Sequence, residues 1–149
     1  METITKTKTV KTMKTINATK GELATLVNGL FAVQNLKGKD FSLVVSKNIA
    51  ILREILQKIE VAGTPSKEFM ILAKQVNEIA NEQKEDAQEQ IDKLEKDNKE
   101  LVEDRRIQMA KVEEMMKEEA TAELNIISED LLPEDISAQQ INNILKIIE

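Results

Sequence analysis

Along residues 3–15 the chain alternates at period two. Ile4, Lys6, Lys8, Val10, Thr12 and Lys14 share one parity, and Thr3, Thr5, Thr7, Thr9, Lys11, Met13 and Thr15 share the other. Threonine and valine suit a pleated backbone, and lysines discourage edge-to-edge aggregation, so the pattern predicts a strand over 3–15. A lone strand does not persist in water, so it requires a partner; the competing reading is a free basic arm. The period then changes to that of a helix. Thr19 followed by Glu22 forms a T-x-x-E capping box, and Leu23, Leu26, Val27, Leu30 and Phe31 mark a stripe over 20–35. Gly38 ends that run. Phe41, Val45, Ile49, Leu52, Leu56 and Ile59, widened by Val44, Ile51 and Ile55, predict a helix over 41–61 that is packed on two sides. "AGTPSKEF" breaks it, with Gly63 as C-cap and Thr64-Pro65 as N-cap and first residue of the next helix.

No Gly or Pro interrupts residues 66–119. Phe69, Leu72, Val76 and Ile79 form one apolar seam. Ile91, Leu94, Leu101, Val112 and Met115 form a second, with Asn98, Arg105 and Gln108 at intervening positions. Gln83, Ala87 and Ile91 step by four and four, which puts the seams out of phase and marks a hinge at 81–90 within a helical span of 65–119. The span is either one long bent helix or a hairpin; the hairpin is favoured because it returns the second half to the body. "ATAELNIIS" alternates again and predicts a strand over 120–127, the partner that 3–15 needs, where opposite-charge pairs would each add about half a kcal/mol. Pro133 cannot continue a ladder, and Ser137 caps a last helix over 137–148 with Ile141, Ile144, Leu145 and Ile148 on one face. The expected architecture is one domain, 1–149, mainly α with an α+β touch: a helical hairpin or coiled-coil bundle with a small two-stranded sheet formed by N-terminal and C-terminal segments.

Composition narrows the chemistry. The 149 residues include three Phe and no Trp or Tyr, so the core is aliphatic. Cysteine and histidine are both absent. Without them no thiol nucleophile, disulfide, thiolate metal site or Ser-His-Asp triad can be assembled, and the commonest general base and transition-metal ligand are missing. The expectation is a protein that is not an enzyme and has no cofactor. No apolar run is long enough to span a bilayer and no apolar segment follows the basic N-terminus, so a soluble intracellular protein without membrane contact is expected. Residues 1–60 hold ten Lys/Arg against five Asp/Glu, whereas 61–149 hold eleven against 22. The basic head can attract the acidic remainder of its own chain, a second copy or a charged partner.

Two segments, "GELATLVNGLFAVQNLKGKDFSLVVSKNIAIL" and "ELNIISEDLLPEDISAQQINNILKIIE", resemble small uncharacterised proteins of tailed bacteriophages. The likeness covers about 40% of the chain and lies in the order of a short apolar helix, a K-G turn, a helix with "SKN", a charged middle, a strand and a Pro-Glu-Asp helix. It implies a phage origin, hence the host cytoplasm or the virion, and no particular activity.

Among candidate sites, Asp86, Glu89, Asp92 and Glu95 lie near one another on a helix, but no Gly-containing EF-hand loop accompanies them. A solvated face with pairs Glu89–Lys93, Asp92–Lys96 and Glu95–Lys99 accounts for them better, so no metal is expected. The seam Ile91, Leu94, Asn98, Leu101, Arg105, Val112 and Met115 is the candidate surface for a protein partner or a homo-oligomer, with Asn98 and Arg105 as polar register devices and Arg106 on the flank. The bland alternative is a hydrated stripe inside a hairpin. Met115 and Met116 read as adaptable core filler. Lys6, Lys8, Lys11 and Lys14, with Lys20, are the candidate phosphate contacts, but they lack arginine for base edges and aromatics for stacking, which argues against nucleic acid. The function this favours is a structural or assembly component: a virion part, scaffold-like factor or tail-assembly helper. A host-takeover or anti-defence inhibitor that covers a basic host surface is the alternative, and non-specific nucleic-acid binding through the N-terminal lysines is a second one.

Overall fold

A computed structural model describes residues 12–149. They form two compact units, one from the residues through Gln57 together with Met116–Glu149, the other Lys58–Met115. The elements run β1 (Met13–Thr19), α1 (Lys20–Val33), α2 (Lys39–Gly63), α3 (Lys67–Glu82), α4 (Ala87–Asp97), α5 (Lys99–Met116), β2 (Glu119–Asn125) and α6 (Ala138–Asn143), with 3-10 turns at Glu129–Leu131 and Leu145–Ile147. Among the described residues the protein is thus mainly helical with one small sheet.

In the first unit β1 and β2 pair antiparallel, from Met13 opposite Asn125 to Thr19 opposite Glu119. The sheet therefore joins N-terminal and C-terminal segments, as the two alternating stretches require. Among the described residues the first strand occupies Met13–Thr19, four residues past the expected end at 15, and positions 3–11 lie outside them. Ile16 and Ala18 continue the parity of Lys14 and fall on the inward face with Ala122 and Leu124, and their burial carries the strand past residue 15. Lys14 stands opposite Leu124, not a carboxylate. Its ammonium donates instead to the Lys146 carbonyl at 3.0 Å and lies 3.9 Å from Glu149. Lys20 pairs with Glu118 at 2.7 Å. Part of the attraction between basic head and acidic remainder is therefore satisfied within the chain.

Strand passes directly into helix at Thr19, because its hydroxyl accepts from the Glu22 amide while the Glu22 carboxylate accepts from the Thr19 amide, at 3.1 and 3.0 Å. The Thr19 backbone, then the Thr19 hydroxyl and Lys146, hold the Glu22 carboxyl below its usual 4.5. A folded value lower than the unfolded one stabilises the protein above the ordinary carboxylate range and is lost as pH falls through the depressed value. The stability gap between the native chain and Glu22→Gln should therefore be present at neutral pH and close as pH drops below about 4.5. A gap that is the same at both ends of a urea-unfolding series across that range would show that the charge contributes nothing.

Leu23, Leu26, Val27, Leu30 and Val33 line the buried side of α1; Phe31, placed on the stripe by its spacing, is 38% exposed. On α2 the buried positions are Phe41, Val45, Asn48, Leu52, Leu56 and Ile59, so Asn48 and not Ile49 occupies the central place. A three-four alternation through Val45 and Leu52 lands on 48, whereas hydrophobicity alone favours its neighbour. Asn48 is fully buried and fully satisfied: its Nδ2 donates to the Asn125 carbonyl at 2.9 Å, and its Oδ1 accepts from the Asn125 amide at 2.7 Å. α1 packs against α6 so closely that a Cβ on Gly29 would lie 3.0 Å from the Asn143 carbonyl. Ser137 caps α6, with Gln140 completing a capping box. That helix ends at Asn143 and continues only as the 3-10 turn, shorter than the expected 137–148.

In the second unit the cap of α3 is Ser66, whose hydroxyl accepts from the Phe69 amide at 3.1 Å. Thr64 precedes Pro65, which biases it away from helix, and its hydroxyl donates back to the Glu60 carbonyl at 2.8 Å. The span 65–119 is three helices. α3 stops at Glu82, with Gln83 left-handed at φ 54°, and α4 packs back on α3 as a helical hairpin. A second break falls at Asn98, whose side chain donates to the Leu94 carbonyl at 2.8 Å and so competes with the helix ladder.

Candidate functional site

The seam residues belong to this second unit. Val112 is buried, and Ile91, Leu94, Asn98, Leu101, Arg105 and Met115 are half-buried. Val112 lies beside Gly63, where an added Cβ would meet it at 3.6 Å. Asn98 ends α4. Arg105 is engaged internally. Its Nη1 donates to the Gly63 carbonyl at 2.8 Å and to Gln108 Oε1 at 2.9 Å, and its guanidinium lies 5.5 Å from the centre of the Phe69 ring. Gln108 Nε2 donates to the carbonyls of Ala62 and Thr64, each at 2.7 Å. Together the two side chains satisfy carbonyls left open at the end of α2 and set a positive charge at the negative pole of that helix. Arg106 grips Glu103 at 2.6 and 2.9 Å, and that hydrogen bonding holds the Glu103 carboxyl below its usual range. Part of the seam is thus spent inside the unit.

Of the candidate phosphate contacts, Lys6, Lys8 and Lys11 lie outside the described residues, and Lys14 is engaged by Lys146 and Glu149. Among the described residues no group of three or more acidic side chains is placed to hold a metal ion, and no helix is long and apolar enough to cross a membrane.

What seam spacing alone does not single out is a groove of about 740 Å³ in the second unit, between α3 and the α4–α5 arm. Phe69, Leu72, Ala73, Val76 and Ala80 of α3 form one wall and Val102 stands in the other, with Lys74 and Glu95 among the lining residues. Its signal is present in the sequence: Phe69, Ala73, Val76 and Ala80 step by four, three and four, beside the seam through Leu72 and Ile79. The same unit carries large apolar side chains in solvent, with Val61 69%, Ile71 60%, Ile107 55%, Met70 48% and Met109 39% exposed. The geometry offers apolar contact area and helix surfaces, with no convergent set of titratable groups described around it. No protein-family model, curated protein or solved structure matches this chain.

Proposed function

We propose that this chain is a non-enzymatic phage protein that works through protein–protein contacts, as a structural or assembly component of the particle. The observation that carries the reading is the exposure of Val61, Met70, Ile71, Ile107 and Met109 on a unit that already buries Leu72 and Val112. Exposed apolar surface costs solubility unless a partner covers it, and contact surfaces concentrate such side chains. The lack of His and Cys supports the same reading from the side of chemistry, and the two phage-like segments support the origin.

Mass spectrometry of purified particles should find the chain, and affinity capture from infected cells should recover a particle protein. Ile71→Lys with Ile107→Glu should abolish that capture while circular dichroism is unchanged. Absence from particles, or capture indifferent to both substitutions, would overturn the proposal.

A further inference from the structure

We propose that the groove on α3 is the seat of a second copy of this chain, in a two-fold dimer whose two α3 helices run antiparallel. The inference rests on the interaction reading above and names the partner for one of its surfaces.

Two observations select this occupant. The first is shape. Along the groove wall large and small residues alternate as Phe69, Ala73, Val76 and Ala80, with both alanines exposed and Phe69 and Val76 half-buried. A two-fold axis midway between Lys74 and Gln75 sets Phe69 opposite Ala80 of the second copy and Ala73 opposite its Val76. Every layer then matches a large side chain with a small one, the arrangement that lets facing helices interdigitate without voids. Three turns of α3 from each copy would be covered, and the alanines let the backbones approach.

The second is charge. Lys74 and Glu95 line the same groove from different helices, and each stands eight residues from the hairpin turn, Lys74 before Glu82 and Glu95 after Ala87. With equal rise along the two helices they sit at one level. Neither forms an ion pair among the described residues. A two-fold interface must be complementary to itself. The half-turn that pairs the α3 layers carries Lys74 of each copy toward Glu95 of the other, so both charges are matched twice. A purely cationic or purely anionic partner would meet one like charge here.

The test uses the full chain in light scattering and sedimentation. The native protein should have twice the mass of the 16.8 kDa chain. Lys74→Glu and Glu95→Lys, each alone, should weaken the dimer about tenfold, because both rim pairs become repulsive. An equimolar mixture of the two single variants should recover it, since every cross-pair is then opposite in sign, and the double variant should do the same. Ala73→Arg, at an exposed position, should give a monomer with unchanged circular dichroism. A native monomer at high micromolar concentration would overturn the proposal, as would a dimer that Ala73→Arg leaves intact or a mixture that fails to recover. If the dimer fails these tests while the Ile71 and Ile107 variants still lose their particle partner, the interaction reading stands and only this seat is wrong.

Discussion

Asn48→Ala is expected to destabilise the first unit by about 3 kcal/mol, more than any other single polar substitution in it. Asn48 sits at 0% exposure and its amide group behaves like one peptide unit of a third strand. It donates to the Asn125 carbonyl, and it accepts from both the Asn125 amide and, at 3.1 Å, the Asn125 side chain. These bonds close the edge of β2 that does not face β1. Alanine removes them together and leaves a backbone donor and acceptor unpaired, each costing about 1–3 kcal/mol when water cannot reach it. Asn48→Leu restores volume but not the pairing, so it should recover less than half of the loss. Asn48→Asp keeps the acceptor, loses the donor and buries a charge, so at neutral pH it should be the worst of the three. Urea unfolding measures the totals, and hydrogen exchange at the Asn125 amide reports the edge itself. A loss under 1 kcal/mol for alanine, with that amide still protected, would show that another group closes the edge.

What is legible in the sequence is local. The Thr19–Glu22 box, the Ser137 cap and the alternation of "ATAELN" are signals whose partners lie within a few residues, and each is found within a residue or two of its expected place. Alternation alone ends the first strand at 15, because the lysines and threonines do not show that the same parity goes on into Ile16 and Ala18, which are buried. The break at Gln83 has no Gly or Pro to announce it; only the phase slip between the two seams marks the region. Asn48, Arg105 and Gln108 are illegible as structural groups for a different reason. Asn48 meets Asn125, 77 residues away, and Arg105 meets Gly63, 42 away, so no window of sequence contains both partners. The candidate seam shows the same limit. Three-four spacing predicts that a stripe will be covered, but the covering surface can come from the same chain or from another, and for Arg105 and Val112 it is the same chain.

Removing residues 144–149 is expected to abolish the cooperative unfolding of the first unit. Ile144 and Ile147 are both at 0% exposure, and truncating one buried isoleucine typically costs about 2–5 kcal/mol. The last turn also supplies main-chain pairing: the Ile127 amide donates to the Ile147 carbonyl at 2.8 Å, the Glu149 amide to the Ile127 carbonyl at 3.0 Å, and the Glu129 amide to the Glu149 carbonyl at 3.0 Å. Its Lys146 carbonyl receives Lys14, so β1 loses a tie as well. Set against a total stability of about 5–15 kcal/mol for an ordinary domain, the two isoleucines alone account for most of the margin. Ile147→Val, which removes one methylene, should cost only about 1 kcal/mol and leave a sharp thermal transition, and this separates a loss of packing from a loss of register. The shortened chain should instead keep partial helical circular dichroism, bind a hydrophobic dye and melt without a defined midpoint. A single sharp transition displaced by no more than Ile147→Val displaces it would mean that Leu30, Val33 and Leu124 form a sufficient core without the last turn.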